Sequence, residues 1–165
     1  MTAMRKTTTR MATSPPNSPP GPPQGCTNFK LRTLLRRVAR VYDAELSLAG
    51  LKGTQYSLLS NIVVHGPVRP AELAQRMGLD ASTLTRNLRV LTGAGWAVQG
   101  AGADERSRLV EITEAGRAKQ AEAKRHWKKA QVALNAMMGI DQVARLHAMI
   151  DDSMVRLEPG GETSS

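Results

Sequence analysis

A chain of 165 residues, 41% apolar and 22% charged, is long enough for one packed domain of ordinary size with irregular ends. Its formal charge of +9 favours a polyanionic partner, while an aromatic content of 3% argues against a surface that works by stacking exposed bases. A single cysteine, Cys26, excludes an intrachain disulfide and points to a reducing compartment.

Residues 1–25 hold six of the nine prolines, three cations and no acid. Such a segment has too little apolar surface to offset its ordering entropy and reads as a disordered, Pro-rich arm. Removing Arg5, Lys6 and Arg10 leaves about +6, so the rest stays basic. The start of the chain has no apolar core of a secretory signal, and no stretch approaches the roughly 20 apolar residues that cross a bilayer. The expectation is a cytoplasmic protein with no membrane contact.

Residues 26–53 carry a first long helix. Leu31, Leu34, Leu35, Val38, Val41, Tyr42 and Leu46 recur at three- and four-residue spacings, and Lys30, Arg32, Arg36, Arg37 and Arg40 fill the other face. Gly50 and Gly53 interrupt, and Thr54 to Ile62 reads as a second helix ending before Gly66-Pro67. Pro70 suits a first helical position, giving a short third helix to Met77, after which Gly78 turns the chain. Asp80 offers an N-cap acceptor for a fourth helix from Ala81 to about Thr92, ended by Gly93 and Gly95.

The period then switches. Trp96–Gln99 and Leu109–Ile112 read as two short strands around a polar loop. Thr113 is the next N-cap, and helical spacing runs to about Met138. Gly139 breaks it, Asp141 is expected to cap a last helix, and Val143, Leu146, Ile150, Met154 and Leu157 form its stripe. Residues 159–165 close the chain as a second disordered tail. The fold class expected is mainly α with a small β-hairpin.

A short helix, a Gly turn and a second helix make the sequence form of a helix-turn-helix. With Leu73, Met77, Leu79, Leu84, Leu88 and Leu91 turned inward, Ser82, Thr83, Thr85, Arg86 and Arg89 are left on the outer surface. Short hydroxyls and arginines are side chains that contact phosphates and base edges, and the major groove admits one such helix. The loop after it holds Asp104, Arg106 and Arg108 and reads as a wing. There an arginine can enter the minor groove, and Asp104 lies close enough to orient Arg106. The same pattern also describes an ordinary helical hairpin with a solvated face, and winged helices also serve as protein-pairing modules.

Two stretches carry a resemblance to a known family. Leu84-Thr85-Arg86-Asn87-Leu88-Arg89-Val90-Leu91 with Gly95-Trp96, and Asp104 to Gly116 with its D-x-R-S run leading into I-T-x-x-G, resemble the MarR-type regulators over about residues 27–157. The resemblance implies a winged helix-turn-helix at residues 54–113. It also implies a homodimer built by residues 26–53 and 114–158, a pseudo-palindromic operator in double-stranded DNA, usually repression, and release by small molecules or oxidants. The apolar excess of the last two helices (Trp127, Val132, Leu134, Met137, Met138, Val143, Leu146, Ile150) supports the dimer independently.

The resemblance also implies an effector pocket between the dimer helices and the reader domain, which Tyr42, His65 and Trp127 could line, with ordinary core packing as the other reading of each. One branch of the family senses peroxide through a cysteine at the start of the first helix. Aligned on Phe29-Lys30-Leu31 and Tyr42, that position falls on Asn28, so Cys26 reads as an inert thiol, with redox control through it as the alternative. His65, His126 and His147 show no metal-ligand spacing, and neither a G-x-S-x-G elbow, a phosphate-cradling Gly-rich loop nor an H-E-x-x-H pair occurs. The reading is therefore a regulator and not an enzyme, with no cofactor and no metal.

Overall fold

The structure, a computed structural model, describes residues 24–101 and 108–158. The expected arm up to residue 23, the wing residues Asp104 and Arg106, and the 159–165 tail lie outside the described residues. Six helices and one hairpin follow in order: α1 (Thr27–Leu46), α2 (Gly53–His65), α3 (Pro70–Met77), α4 (Ala81–Gly93), β1 (Ala97–Ala101), β2 (Arg108–Ile112), α5 (Glu114–Met138) and α6 (Ile140–Arg156). This is the expected winged helix-turn-helix between long flanking helices.

The helix-turn-helix half is held by a leucine-rich core. Leu58, Leu59 and Ile62 of α2, Leu73 of α3, and Leu84, Leu88 and Leu91 of α4 are all buried, together with Val110 of β2. Gly78 makes the turn between α3 and α4 in the left-handed region, φ 59°, where a Cβ would be strained. β1 and β2 pair antiparallel with Ala97 opposite Ile112 and Ala101 opposite Arg108. Val68, in the α2–α3 link, exchanges both backbone hydrogen bonds with Val110 at 3.1 and 2.9 Å. The hairpin is thereby stitched to the helices rather than hanging from them.

α1 and α5 run antiparallel, with Glu45 beside His126 at 3.3 Å and the Tyr42 hydroxyl donating to Gln131 Oε1 further along. Trp127 stacks between Tyr42 of α1 and Tyr56 of α2, each ring centroid 6.4 Å away. Such pairs contribute about 0.5–1.5 kcal/mol each beyond their buried area. Asp43 Oδ1 accepts from Gly53 N at 2.9 Å, placing a carboxylate at the N-terminus of α2, where the helix dipole favours it.

α5 starts at a tight junction with the hairpin. Thr113 Oγ1 accepts from Gly116 N at 3.0 Å and donates to the Gly95 carbonyl at 2.7 Å, while Thr113 N donates to the Trp96 carbonyl. Gly116 packs so closely on the Trp96 carbonyl that a Cβ there would collide with it.

Two expectations need correcting. Asp141 does not cap α6: Gly139, at φ 84° and ψ 134°, is the N-cap residue, and Asp141 sits in the first turn, where its charge still complements the dipole. Leu157 does not extend the α6 stripe, because the helix ends at Arg156 and Leu157 is 81% exposed. A 3-10 turn, Ser47–Ala49, also lies between α1 and α2 where only a break was expected.

Gly116→Ala is expected to lower the unfolding free energy by about 3 kcal/mol, the upper end for a forced overpacking against backbone. Chemical denaturation checks it; an unchanged midpoint would mean that the α5 junction yields freely.

Candidate nucleic-acid interface

The rotation of α4 is set by Leu84, Leu88 and Leu91, all at or below 2% exposure. Their burial leaves Ser82, Thr85, Arg86 and Arg89 exposed, and these four line one shallow surface groove together with Ala81. Thr83, also expected on this surface, is half-buried and turned toward Asp80.

Asp80 does more than cap. Its Oδ1 accepts from Thr83 N at 2.7 Å and from Ser82 Oγ at 2.6 Å, and its Oδ2 accepts from Thr83 Oγ1 at 2.7 Å. These bonds, the Ser82 hydroxyl foremost, hold the carboxyl well below the usual carboxylate range. Thr85 Oγ1 donates to the Ala81 carbonyl at 2.7 Å, and Asn87 Nδ2 donates to the Thr83 carbonyl at 2.9 Å. The sequence signal for the cap was legible at Asp80; its capture of two neighbouring side chains was not.

Arg108 is exposed as the first residue of β2, opposite Ala101. Glu72, Gln75 and Arg76 form a smaller polar concavity on exposed α3, which sequence reasoning left unassigned because no turn or cap marks them.

Of the three residues expected near an effector, the structure brings two together. Tyr42 and Trp127 line a cleft of about 500 Å³ bounded by α1, the start of α2 and α5, and closed on the reader side by Met77 and Leu79. His65 is not among its lining residues and lies exposed at the end of α2. Tyr56, which sequence reasoning did not single out, takes its place on the wall. Cys26 is exposed at the N-cap of α1 with no capping bond from its side chain, and no second thiol exists in the chain to resolve it.

A three-helix unit with a stitched hairpin and an outward polar face on its last helix defines the winged helix-turn-helix class. The sequence profile of the MarR family matches residues 49–107. The chain is similar to the transcriptional regulator MosR of M. tuberculosis, solved in complex with DNA: 32% identity, 82% of this chain, 100% of that one, TM-score 0.68. It also shares its fold with CouR, a transcriptional repressor solved bound to a 23-mer DNA duplex (23% identity, 78% and 92% covered, TM-score 0.73). A curated relative, the HTH-type transcriptional regulator YwoH of Bacillus subtilis, is 31% identical over 78 residues, 47% of this chain; the chain spans 57% of that relative's length. The protein belongs to the MarR family of transcription regulators, which are not enzymes.

Because folding depresses the Asp80 pKa, its ionised form stabilises the fold above the unfolded value, about 3.9, and that contribution drains away as pH falls below it. Asp80→Asn keeps a capping oxygen but loses the charge. The gap in melting midpoint between wild type and Asp80→Asn should stay constant from about pH 7 to about pH 5 and narrow below about pH 4. A gap that does not change with pH would contradict the bonding at Asp80.

Proposed function

We propose that the chain is a homodimeric repressor that reads a pseudo-palindromic operator and releases it when a small molecule occupies the Tyr42–Trp127 cleft. In this reading residues 54–113 form the DNA reader, while residues 26–53 and 114–158 join the two copies. The observation that carries it is the α4 groove. A buried leucine stripe turns Ser82, Thr85, Arg86 and Arg89 outward, the arrangement a helix needs to enter a major groove. Thr83 orders the start of that helix, and Arg86, Arg89, Arg106 and Arg108 supply cations to phosphates and base edges, with Asp104 orienting the wing. The DNA-bound state of the MosR and CouR structures supports the same role.

Dimerisation is supported by what one copy leaves uncovered. Among the residues of α6 Val143 alone is buried, while Met149 and Val155 are 68% and 67% exposed. Leu31, Leu35, Leu134, Leu146 and Ile150 line an apolar groove between α1, α5 and α6. An exposed apolar surface of this kind on a regulator suits a second copy. The cleft supports effector control, since about 500 Å³ lies within the range of small-molecule sites and both halves of the fold contribute walls. A ligand there needs to favour the released arrangement by only about 1–3 kcal/mol to act.

Duplexes selected from genomic fragments test the reading. Arg86→Ala is expected to cost about 1–3 kcal/mol on the selected site and to relax preference at one position. Binding should weaken with salt along a log–log slope near −0.9 for each phosphate contacted. Ile150→Glu should shift the sedimenting species from dimer to monomer and weaken operator binding with it. Unchanged affinity in a folded Arg86→Ala protein, or a wild-type monomer, would contradict the proposal.

A further inference from the structure

The hydroxyls on the reading face have no proton left to give. A serine or threonine hydroxyl carries one donor and two acceptor lone pairs. The Asp80 carboxylate and the Ala81 carbonyl are acceptors only, so Ser82 must donate to the first, at 2.6 Å, and Thr85 to the second, at 2.7 Å. Both side chains line the outward groove with Arg86 and Arg89. Towards a ligand they therefore present lone pairs alone, and Asp80 at the same helix end adds a negative charge that opposes a phosphate there.

We infer that Ser82 and Thr85 are specificity determinants that accept hydrogen bonds from exocyclic base amines in the major groove, and that Arg86 and Arg89 alone carry the donor side of the α4 contact. This rests on the operator-reading function proposed above and narrows it. Phosphate oxygens, guanine O6 and N7, adenine N7 and thymine O4 are all acceptors, and pairing with either hydroxyl would first require breaking its bond to Asp80 or to the Ala81 carbonyl. Cytosine N4 and adenine N6 are the donors that the major groove offers. The hydroxyl rows and the guanidinium rows of one helix face thus select opposite polarities: amines beside Ser82 and Thr85, and guanine edges or phosphates beside Arg86 and Arg89.

The test uses the full chain and a duplex selected from a random library. Ser82→Ala and Thr85→Val, which leave the Thr83 N–Asp80 cap bond and the leucine stripe in place, identify the positions whose preference each hydroxyl sets. At those positions adenine is replaced by purine, or cytosine by pyrimidinone, to delete the amine; separately, deaza analogues delete the purine ring-nitrogen acceptor. For wild type, deleting the amine is expected to weaken binding about 3- to 10-fold, the size of one hydrogen bond, beyond its effect on the matching variant. Deleting the ring nitrogen should affect wild type and variant equally. The inference is overturned if the excess loss follows the ring nitrogen, or if neither variant alters preference at any position. A wild-type chain that selects no sequence at all would remove the operator-reading function itself, an outcome distinct from both.

Discussion

The arrangement of this protein depends on which side of α4 is allowed to be wet. Leu84, Leu88 and Leu91 must leave water, and α2, α3 and β1, packed against α4, offer an apolar surface that takes them. With that stripe fixed, a rotation of α4 would expose leucines and bury arginines, which costs free energy on both counts. The outward polar face of α4 is thus specified by burial on the opposite side, and its residues need only be compatible with solvent or with the proposed DNA contact. Asp80 and the Ala81 carbonyl then take the hydroxyl protons of Ser82 and Thr85, so the groove presents ordered oxygen atoms rather than freely rotating hydroxyls.

The same logic links the winged helix-turn-helix to the long helices. Trp127 sits between tyrosines from α1 and α2, and the Thr113–Gly116 junction clamps the start of α5 to the turn between α4 and β1. Any shift of α5 is felt at both places. The Tyr42–Trp127 cleft lies where these two halves meet, with Met77 and Leu79 of the helix-turn-helix forming part of its wall. A molecule wedged there would touch the segment that leads into α4, which gives proposed effector control a short physical path.

Much of the fold was legible because its punctuation is local. Pro70, Gly78, Asp80 and Thr113 each act on backbone within a few residues, and they set α3, α4 and the start of α5 where the sequence suggested. What the sequence hid depends on distant partners or on competition between neighbours. Asp141 has the right chemistry for a cap, yet the φ of Gly139 starts the helix two residues earlier. Leu157 continues the spacing of α6 but falls beyond its end. The pairing of Trp127 with Tyr42 and Tyr56 joins three helices, and no spacing announces it. His65 was grouped with Tyr42 and Trp127 on chemistry alone, and the length of α2 carries it away from their cleft.

The central claim is that two copies set two α4 faces into successive major grooves on one side of a double helix. Hydroxyl-radical footprinting of the selected operator examines it most directly. The account predicts two protected patches on the same face of the duplex, related by a two-fold axis and separated by about one helical turn, roughly 34 Å. A single patch, or two patches on opposite faces, would contradict it.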